Sequence, residues 1–261
     1  MTKAIDNIII IGAGNVATHL ARALLQSNKK IIQVISKSVT SAQTLGEICN
    51  CQFTSKIHEV SDNADLYLIA VPDDSIKEIA EIFPFKNKLL AHTSGSVSMD
   101  VLKEITVNYG VFYPLQTFTK NISLEYENIP FCIEASTNEN TELLIQLASG
   151  ISKNIYKIDF KQRRQLHLAA VFACNFSNHM YSIAEDILSH EEIPFDILKP
   201  LIQETARKIE SLSPKMAQTG PAVRNDKLTI TKHLDKLKSF EDYQKIYTFM
   251  TQSIQKEQKR K

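Results

Sequence analysis

The stretch Ile8-Ile9-Ile10-Ile11-Gly12-Ala13-Gly14-Asn15-Val16-Ala17 predicts how the N-terminal part of this chain folds. Four consecutive β-branched residues are typical of a parallel strand that is buried on both faces. Gly12 and Gly14 then allow a tight turn and a close approach of the backbone to a ligand. Residues 16–25 carry apolar side chains at helical spacing. Strand, glycine turn and helix in this order predict a dinucleotide-binding element, with the pyrophosphate on the N–H groups of the helix N-terminus.

Within this turn, we predict that the cofactor contacts are Gly12, Ala13, Gly14, Asn15 and Val16. The third glycine position of the fingerprint holds Ala17, which the pattern permits. The alternative is a tight turn of an α/β protein that binds no cofactor.

The end of the second predicted strand, residues 31–35, indicates which cofactor is bound. A site selective for NAD places Asp or Glu near this point, where it accepts a hydrogen bond from the ribose 2′-OH. This chain has Ser36-Lys37-Ser38 instead. Two hydroxyls and an ammonium suit the 2′-phosphate of NADP. We therefore predict NADP, with NAD as a possible cofactor; the alternative is a solvated strand end.

Composition and charge narrow the class of protein. Of the 261 residues, 43% are hydrophobic and 23% are charged, which is ordinary for a soluble globular protein. The net charge of +1 favours neither nucleic acid nor a membrane surface as a partner. Residues 1–3 lead into a predicted strand without a signal-peptide pattern. The four cysteines are scattered along the chain, which predicts reduced thiols in a cytoplasmic protein and no metal site.

Alternating strand and helix patterns continue as far as Ile158 and predict a mostly parallel, doubly wound sheet. From Lys161 to Ser189 the chain has no Gly or Pro, which predicts one long helix, and further helices are predicted at 195–211 and 240–258. The predicted fold is α/β: a Rossmann NAD(P)-binding domain over residues 1–158, then an all-helical substrate and dimerisation domain over residues 159–261.

Ligands of open α/β sheets bind beyond the carboxyl ends of the strands. This rule selects Val71 and Pro72 as further cofactor contacts, and Asp74-Ser75 as a helix cap behind them. It also selects the loop that begins at His92, in which Thr93 and Ser94 are predicted to contact the cofactor. His92 is a candidate proton donor near the nicotinamide, or else a histidine that only caps a strand end.

The long helix carries a second group of candidates. At 100° per residue, His167, Cys174, Asn178 and Glu185 fall within a sector of about 40°, with Asn175 at its edge. One interpretation is a pocket in which His167 donates a proton while Asn175 or Asn178 orients the substrate. The other is a polar face whose groups satisfy one another.

A Gly-Pro break after residue 219 marks a loop with further substrate candidates. Gln218 and Thr219 offer neutral hydrogen bonds, and Arg224 offers a planar fork suited to a carboxylate or phosphate. The alternative is a helix connector in which Arg224 pairs with a surface acid.

Seven stretches along the chain resemble one known family: 12–17, 70–74, 92–96, 112–118, 162–167, 173–176 and 217–224. This is the family of Rossmann-like proteins with a helical C-terminal domain of unknown function, frequent in Bacteroidetes-type bacteria, whose members are described as NADP-dependent oxidoreductases. More distantly, the chain is similar to pyrroline-5-carboxylate reductase, prephenate dehydrogenase and the β-hydroxyacid dehydrogenases. That similarity implies hydride transfer in an interdomain cleft and a homodimer formed through the helical domain.

One departure from the distant relatives bears on the reaction. The β-hydroxyacid dehydrogenases have a Lys four residues before an Asn on the long helix, whereas Val171 precedes Asn175 here. A hydroxyacid reaction that uses this lysine is therefore disfavoured. We predict an NADP-dependent oxidoreductase that transfers a hydride to a small carbonyl or imine substrate. The alternatives are an NAD(P)-binding sensor without turnover and a helical interaction scaffold with a vestigial nucleotide fold.

Overall fold

The computed structural model describes residues 4–259, so residues 1–3, which entered the signal-peptide prediction, lie outside it. Eight strands form one sheet in the order β3-β2-β1-β4-β5-β6-β7-β8. All neighbours are parallel except β6 and β7. The strands are β1 (Asn7–Ile11), β2 (Lys30–Ile35), β3 (Gln52–Thr54), β4 (Leu66–Ile69), β5 (Leu89–His92), β6 (Tyr109–Pro114), β7 (Phe131–Ala135) and β8 (Ile155–Lys157).

The isoleucine run forms the central strand β1 and explains why the sheet is covered on both faces. Ile8 and Ile10 pack into one apolar cluster, whereas Ile9 and Ile11 pack into another. Because successive side chains of a strand point to opposite faces, the two clusters lie on the two sides of the sheet. The predicted doubly wound α/β architecture is confirmed.

Ten α-helices accompany the sheet or follow it in the described part of the chain. They are α1 (Asn15–Gln26), α2 (Val39–Cys49), α3 (Asp73–Glu81), α4 (Asn138–Ser149), α5 (Phe160–Ala170), α6 (Ser177–Ser189), α7 (Lys199–Lys208), α8 (Pro214–Ala217), α9 (Lys227–Lys236) and α10 (Glu241–Gln258). No strand follows β8 within residues 4–259, as the pattern predicts.

Two local predictions were wrong. The short edge strand β3 was missed, because three residues give too few alternations to recognise. Asp74 and Ser75 were predicted to cap a helix, but they lie inside α3, which begins at Asp73, directly after Pro72. Asp73 and Asp74 occupy the first turn of α3, where carboxylates are favoured by the helix dipole.

The predicted long helix is interrupted by a π-helical turn. The helical residues run from Phe160 to Ser189, but Val171–Phe176 forms a π-helix between α5 and α6. Its i→i+5 hydrogen bonds change the rotation per residue. Residues before and after it therefore do not keep the phase of 100° per residue, and the single face predicted for His167 and Asn178 was wrong.

The chain divides into two compact units, Met1–Cys174 and Asn175–Lys261. The predicted boundary after residue 158 stays a prediction. Within the described part of the second unit only Ala222 and Leu237 are buried apolar residues. No helix of residues 4–259 combines the length and the apolarity that a membrane span requires.

Candidate functional site

The glycine turn lies where the sheet reverses its strand order. The chain runs outward from β1 to β2 and β3 on one side, and β4 begins the other side. Gly12, directly after β1, has φ +126°, and a Cβ there would lie 2.1 Å from the carbonyl oxygen of Ala70. Its N–H donates to the carbonyl of Ile35 at 2.7 Å. The backbone at Gly12 is thus packed between β2 and β4, at the position where open α/β sheets bind ligands.

Gly14 differs from Gly12 in having free space beside it. A Cβ placed at Gly14 would have no atom of the described structure within 4 Å. Gly14 is also the N-cap of α1, and no side chain accepts a hydrogen bond there. Ala17, one turn further on, is fully buried and packs in the apolar cluster that contains Ile8 and Ile10 of β1. The helix therefore offers an uncapped, positively polarised N-terminus beside open space.

A cleft of about 760 Å³ begins at this turn and lies entirely within the first unit. It brings together most of the predicted cofactor contacts and one predicted catalytic residue. These are Gly12, Ala13, Gly14, Asn15, Val16, Ser36, Lys37, Val71, Pro72, Thr93, Ser94 and His167. Gly95, Tyr113 and Gln116, which belong to two of the stretches selected from the sequence, also line it, whereas sequence reasoning missed Ser41, Ser55 and Lys120.

At the β2 end of the cleft, the three residues predicted to bind the 2′-phosphate, Ser36, Lys37 and Ser38, do not all have the same role. Ser36 and Lys37 line the cleft, and the ammonium of Lys37 lies 2.8 Å from the carboxylate of Glu78 on the surface. Ser38 instead caps α2, since its hydroxyl accepts the N–H of Ser41 at 3.2 Å. This places a lysine, several hydroxyls and a second helix N-terminus at the end of β2.

His92 does not line the cleft. Its side chain has no exposed surface, and its Nδ1 accepts the N–H of Ser94 at 3.2 Å. Burial, assisted by the positive charge of Arg163, lowers the pKa of His92 to about 4. A buried imidazole that stays neutral organises the loop after β5, and this does not support the predicted role of His92 as proton donor.

We expect the burial of His92 to make the protein sensitive to acid. The unfolded chain protonates this side chain near pH 6.5, the folded protein only near pH 4. Stability is therefore fully present above pH 6.5 and declines by up to about 3 kcal/mol as the pH falls to 4. Urea unfolding of the wild type and of His92→Gln at pH 7.5 and 4.5 measures this difference. Equal pH dependence of the two proteins would show that His92 does not carry the effect.

The loop after β5 is held by its own hydroxyls. The Oγ of Ser94 accepts the N–H groups of Ser96 and Val97, both at 3.0 Å. The hydroxyl of Ser96 donates to the carboxylate of Asp73 at the start of α3. The loops that follow β4 and β5 are therefore joined by a hydrogen bond beside the cleft.

A tyrosine–histidine pair lies against this loop. The Oη of Tyr113, at the end of β6, is 3.1 Å from Nδ1 of His167 on α5. A Cβ at Gly95 would lie 2.7 Å from the ring of Tyr113 and 2.8 Å from His167 Nδ1. Only glycine leaves room for the pair at this position.

The direction of the hydrogen bond between Tyr113 and His167 sets which nitrogen of the imidazole carries a proton. Burial raises the pKa of Tyr113 to about 12, so the phenol stays protonated at neutral pH. A phenol O–H that donates to Nδ1 of a neutral imidazole places the remaining ring proton on Nε2, whereas a phenol oxygen that accepts from Nδ1–H leaves Nε2 without a proton. In the first arrangement His167, which lines the cleft, has its N–H on Nε2.

Beneath the pair, a buried ion pair fixes the start of α5. Arg163 is fully buried and contacts the carboxylate of Glu134 on β7, which also accepts the N–H of Phe160 at 3.1 Å. Arg163 donates a second hydrogen bond, of 2.7 Å, to the carbonyl of Val97. One guanidinium therefore connects α5, which carries His167, to β7 and to the loop after β5.

The remaining predicted substrate residues belong to the second unit. Asn175, the last predicted catalytic residue, is exposed there in the π-helical turn, and Asn178, Gln218, Thr219 and Arg224 are exposed as well. The amide of Gln218 donates to the carbonyl of Thr219 at 3.0 Å. The roles predicted for these five side chains stay predictions.

Comparison with known families agrees with this architecture. A Rossmann-like domain matches residues 1–116, and a domain of unknown function, DUF2520, matches residues 129–254. The fold and the glycine turn thus define a Rossmann-like protein with a helical C-terminal region. A structure from Bacteroides fragilis, named as a candidate NADP oxidoreductase, is 42% identical with a TM-score of 0.91, over 97% of this chain and 98% of that chain. The chain belongs to the same family of Rossmann-like proteins with the DUF2520 domain, which confirms the predicted family.

More distant structures share the fold. Pyrroline-5-carboxylate reductase from Streptococcus pyogenes is 12% identical, with a TM-score of 0.65 over 96% of this chain and 98% of that chain. An imine reductase from Myxococcus stipitatus, solved with NADP⁺, is 15% identical, with a TM-score of 0.68 over 96% and 93%. The predicted similarity to pyrroline-5-carboxylate reductase is confirmed at the level of the fold. No protein of curated function matches the chain.

Proposed function

We propose that this protein is an NADP-dependent oxidoreductase that reduces a small C=O or C=N substrate, with His167 as the proton donor. The observation that carries the proposal is the continuous cleft, which joins the glycine turn to the Tyr113–His167 pair. A nucleotide end and a proton-donating end in one cleft are what a hydride-transfer enzyme requires. The 42% identity to a protein named as an NADP oxidoreductase supports the same class.

The residues present fit a dinucleotide. The open space at Gly14 and the uncapped N-terminus of α1 accommodate a pyrophosphate. Ser36, Lys37 and the N-terminal turn of α2 suit a 2′-phosphate. Thr93 and Ser94 line the cleft farther along, towards His167. When bound, NADPH supplies a hydride to the substrate.

The protein's own groups supply the proton and the geometry. In the proposed reaction, Nε2–H of His167 donates a proton to the substrate oxygen or nitrogen, which becomes basic as the double bond is reduced. In the proposed arrangement Tyr113 donates to Nδ1, 3.1 Å away, and so holds the imidazole in this tautomer. Arg163 fixes the position of α5 relative to the loop after β5. Positioned acid catalysis of this kind contributes about 10²- to 10⁴-fold to a rate.

The preference for NADPH is expected to depend on Lys37. Lys37→Gln removes a charge beside the predicted 2′-phosphate site, so the affinity for NADPH is expected to fall about tenfold, the loss of one charge-assisted hydrogen bond. The affinity for NADH is expected to stay unchanged. Fluorescence titration with both nucleotides measures this, and Lys77→Gln, an exposed lysine on α3, is the matched control. An equal loss for both nucleotides would contradict the assignment.

The function itself is tested by binding and turnover. We expect the fluorescence of NADPH to change on titration with the protein, and its 340 nm absorbance to fall when imines, aldehydes and keto acids are screened as substrates. Binding of neither nucleotide would overturn the proposal. Binding without turnover of any substrate, together with a change in oligomeric state, would favour an NAD(P)-responsive sensor.

We further propose that the protein is a homodimer through its second unit. Large apolar side chains are exposed on several helices of that unit, including Leu201 (62% exposed) and Phe249 (71%), and its described core is very small. A helical unit of this kind is stabilised by covering its apolar surface with a second copy. The predicted interdomain cleft and cytoplasmic location stay predictions.

Light scattering is expected to give a mass near twice 29.5 kDa. The double variant Leu201→Glu/Phe249→Glu is expected to shift this mass to that of a monomer, because buried carboxylates without partners are costly. Gln203→Glu, on the same helix as Leu201, should leave it unchanged. A wild-type protein that is monomeric at micromolar concentration would contradict the dimer.

A further inference from the structure

The segment Phe118–Lys120, which follows β6, is bound along helix α1. Nε2–H of His19 donates to the carbonyl of Thr119 at 2.8 Å, and Nδ1 of His19 lies 3.0 Å from the hydroxyl of Tyr126. The imidazole is completely buried and stacks on Phe118 at a centroid distance of 5.0 Å. A buried histidine with both nitrogens bonded fixes the segment firmly.

A second side chain of the same helix holds the last residue of the segment. Nη1 of Arg22 donates to the carbonyl of Lys120 at 2.8 Å. His19 and Arg22 are four and seven residues beyond Asn15, the first residue of α1. The segment therefore lies beside the helix whose N-terminus borders the open space at Gly14.

Lys120 lines the same cleft as the glycine turn. It is half-buried, and within residues 4–259 it has no ion-pair partner. The cleft lining contains two lysines, Lys37 and Lys120, and one carboxylate, Asp73, which is bonded to Ser96. Lys37 has Glu78 as a partner, so Lys120 is the lining cation whose charge is not neutralised by an acid in the described structure.

We infer that Lys120 is a phosphate-binding residue that contacts the pyrophosphate of the dinucleotide from the side opposite the glycine turn, with His19 and Arg22 as its positioning residues. The ammonium of a half-buried lysine that has no acidic partner in the described structure is free to pair with an anion of a ligand in the cleft. The pyrophosphate, held at the N-terminus of α1, is the anion nearest to the helix that binds the segment. The inference rests on the proposed cofactor binding and adds a residue that no glycine fingerprint contains.

The roles proposed for Lys37 and Lys120 predict different effects on the affinities for different nucleotides. NADPH and NADH share the pyrophosphate, whereas 2′-AMP carries the 2′-phosphate and no phosphate at the 5′ position. Lys120→Gln is therefore expected to weaken NADPH and NADH equally, by about tenfold, and to leave 2′-AMP unchanged. Lys120→Arg should restore most of the affinity, and Lys103→Gln, an exposed lysine outside the cleft, should have no effect.

Isothermal titration of the full chain with the three nucleotides, at low and at moderate salt, tests the inference. The expected result is an equal loss for both dinucleotides in Lys120→Gln together with a weaker salt dependence, because one ionic contact is absent. Unchanged dinucleotide affinities would overturn the inference, and so would a change confined to the KM of the substrate. Failure of the wild type to bind either dinucleotide would instead refute the proposed function, so the two failures are distinguishable.

Discussion

Gly12→Ala is expected to destabilise the protein by about 3 kcal/mol or more, whereas Gly14→Ala should leave its stability nearly unchanged. At Gly12 the φ of +126° is unfavourable for alanine, and the new Cβ would lie 2.1 Å from the backbone oxygen of Ala70. The contact is with backbone rather than with a flexible side chain, so β1 or β4 must move. Gly14 has φ −80° and open space around it.

The same two variants separate folding from binding. Gly14→Ala places a methyl group in the space proposed for the pyrophosphate, so the affinity for NADPH is expected to fall by at least tenfold in a protein that remains folded. Urea unfolding and fluorescence titration of both variants measure the two effects. Normal stability of Gly12→Ala would contradict the strand packing, and full affinity of Gly14→Ala would contradict the proposed position of the pyrophosphate.

Replacement of His167 is expected to have the largest effect on catalysis. His167→Asn removes the proposed proton donor and should lower kcat by about 10²- to 10⁴-fold, while the Kd of NADPH changes little. His58→Asn, an exposed histidine outside the cleft, is the matched control. The measurement is the rate of NADPH oxidation with the substrate identified in the screen. A kcat within twofold of the wild type would exclude His167 as the donor.

Tyr113→Phe tests the positioning part of the same idea. The variant keeps the ring but removes the O–H that is proposed to donate to Nδ1 of His167, so we expect a smaller loss of kcat, about tenfold. Nitrogen NMR shifts of His167 give a readout that a merely structural effect would not change. In the wild type the neutral imidazole should be the Nε2–H tautomer, and in Tyr113→Phe a mixture of tautomers. Unchanged shifts would contradict the role of Tyr113.

The nucleotide end of the site could be predicted from sequence because it depends on local chemistry. A strand of four isoleucines, two glycines and an amphipathic helix determine the turn without help from distant residues. The loops after β4 and β5 were found for a similar reason, since the rule about strand ends needs only the order of elements. Lys120 and Ser55 were missed, because they come from loops that tertiary contacts alone bring to the cleft.

The end of the cleft that contains the proposed proton donor could be predicted only in part. His167 was selected because of its angular position around the predicted long helix. The spacing of 100° per residue does not continue beyond Ala170, because a π-helical turn follows, and no residue pattern predicted such a turn. His92 lies at the end of β5, directly before the loop that lines the cleft. Its side chain is nevertheless completely buried, which lowers its pKa and leaves it outside the cleft lining. Tyr113 is 54 residues from its partner, so its hydrogen bond to His167 is a property of the folded sheet.

In the proposed function, one cleft holds the dinucleotide at Gly14 and the reacting end of the nicotinamide near His167. The most direct measurement is a crystal structure of the protein with NADPH. We expect the pyrophosphate on the N-terminus of α1 and the nicotinamide beside Thr93 and Ser94, with its C4 facing His167. A nicotinamide directed away from His167, or a nucleotide bound elsewhere on the protein, would contradict the claim.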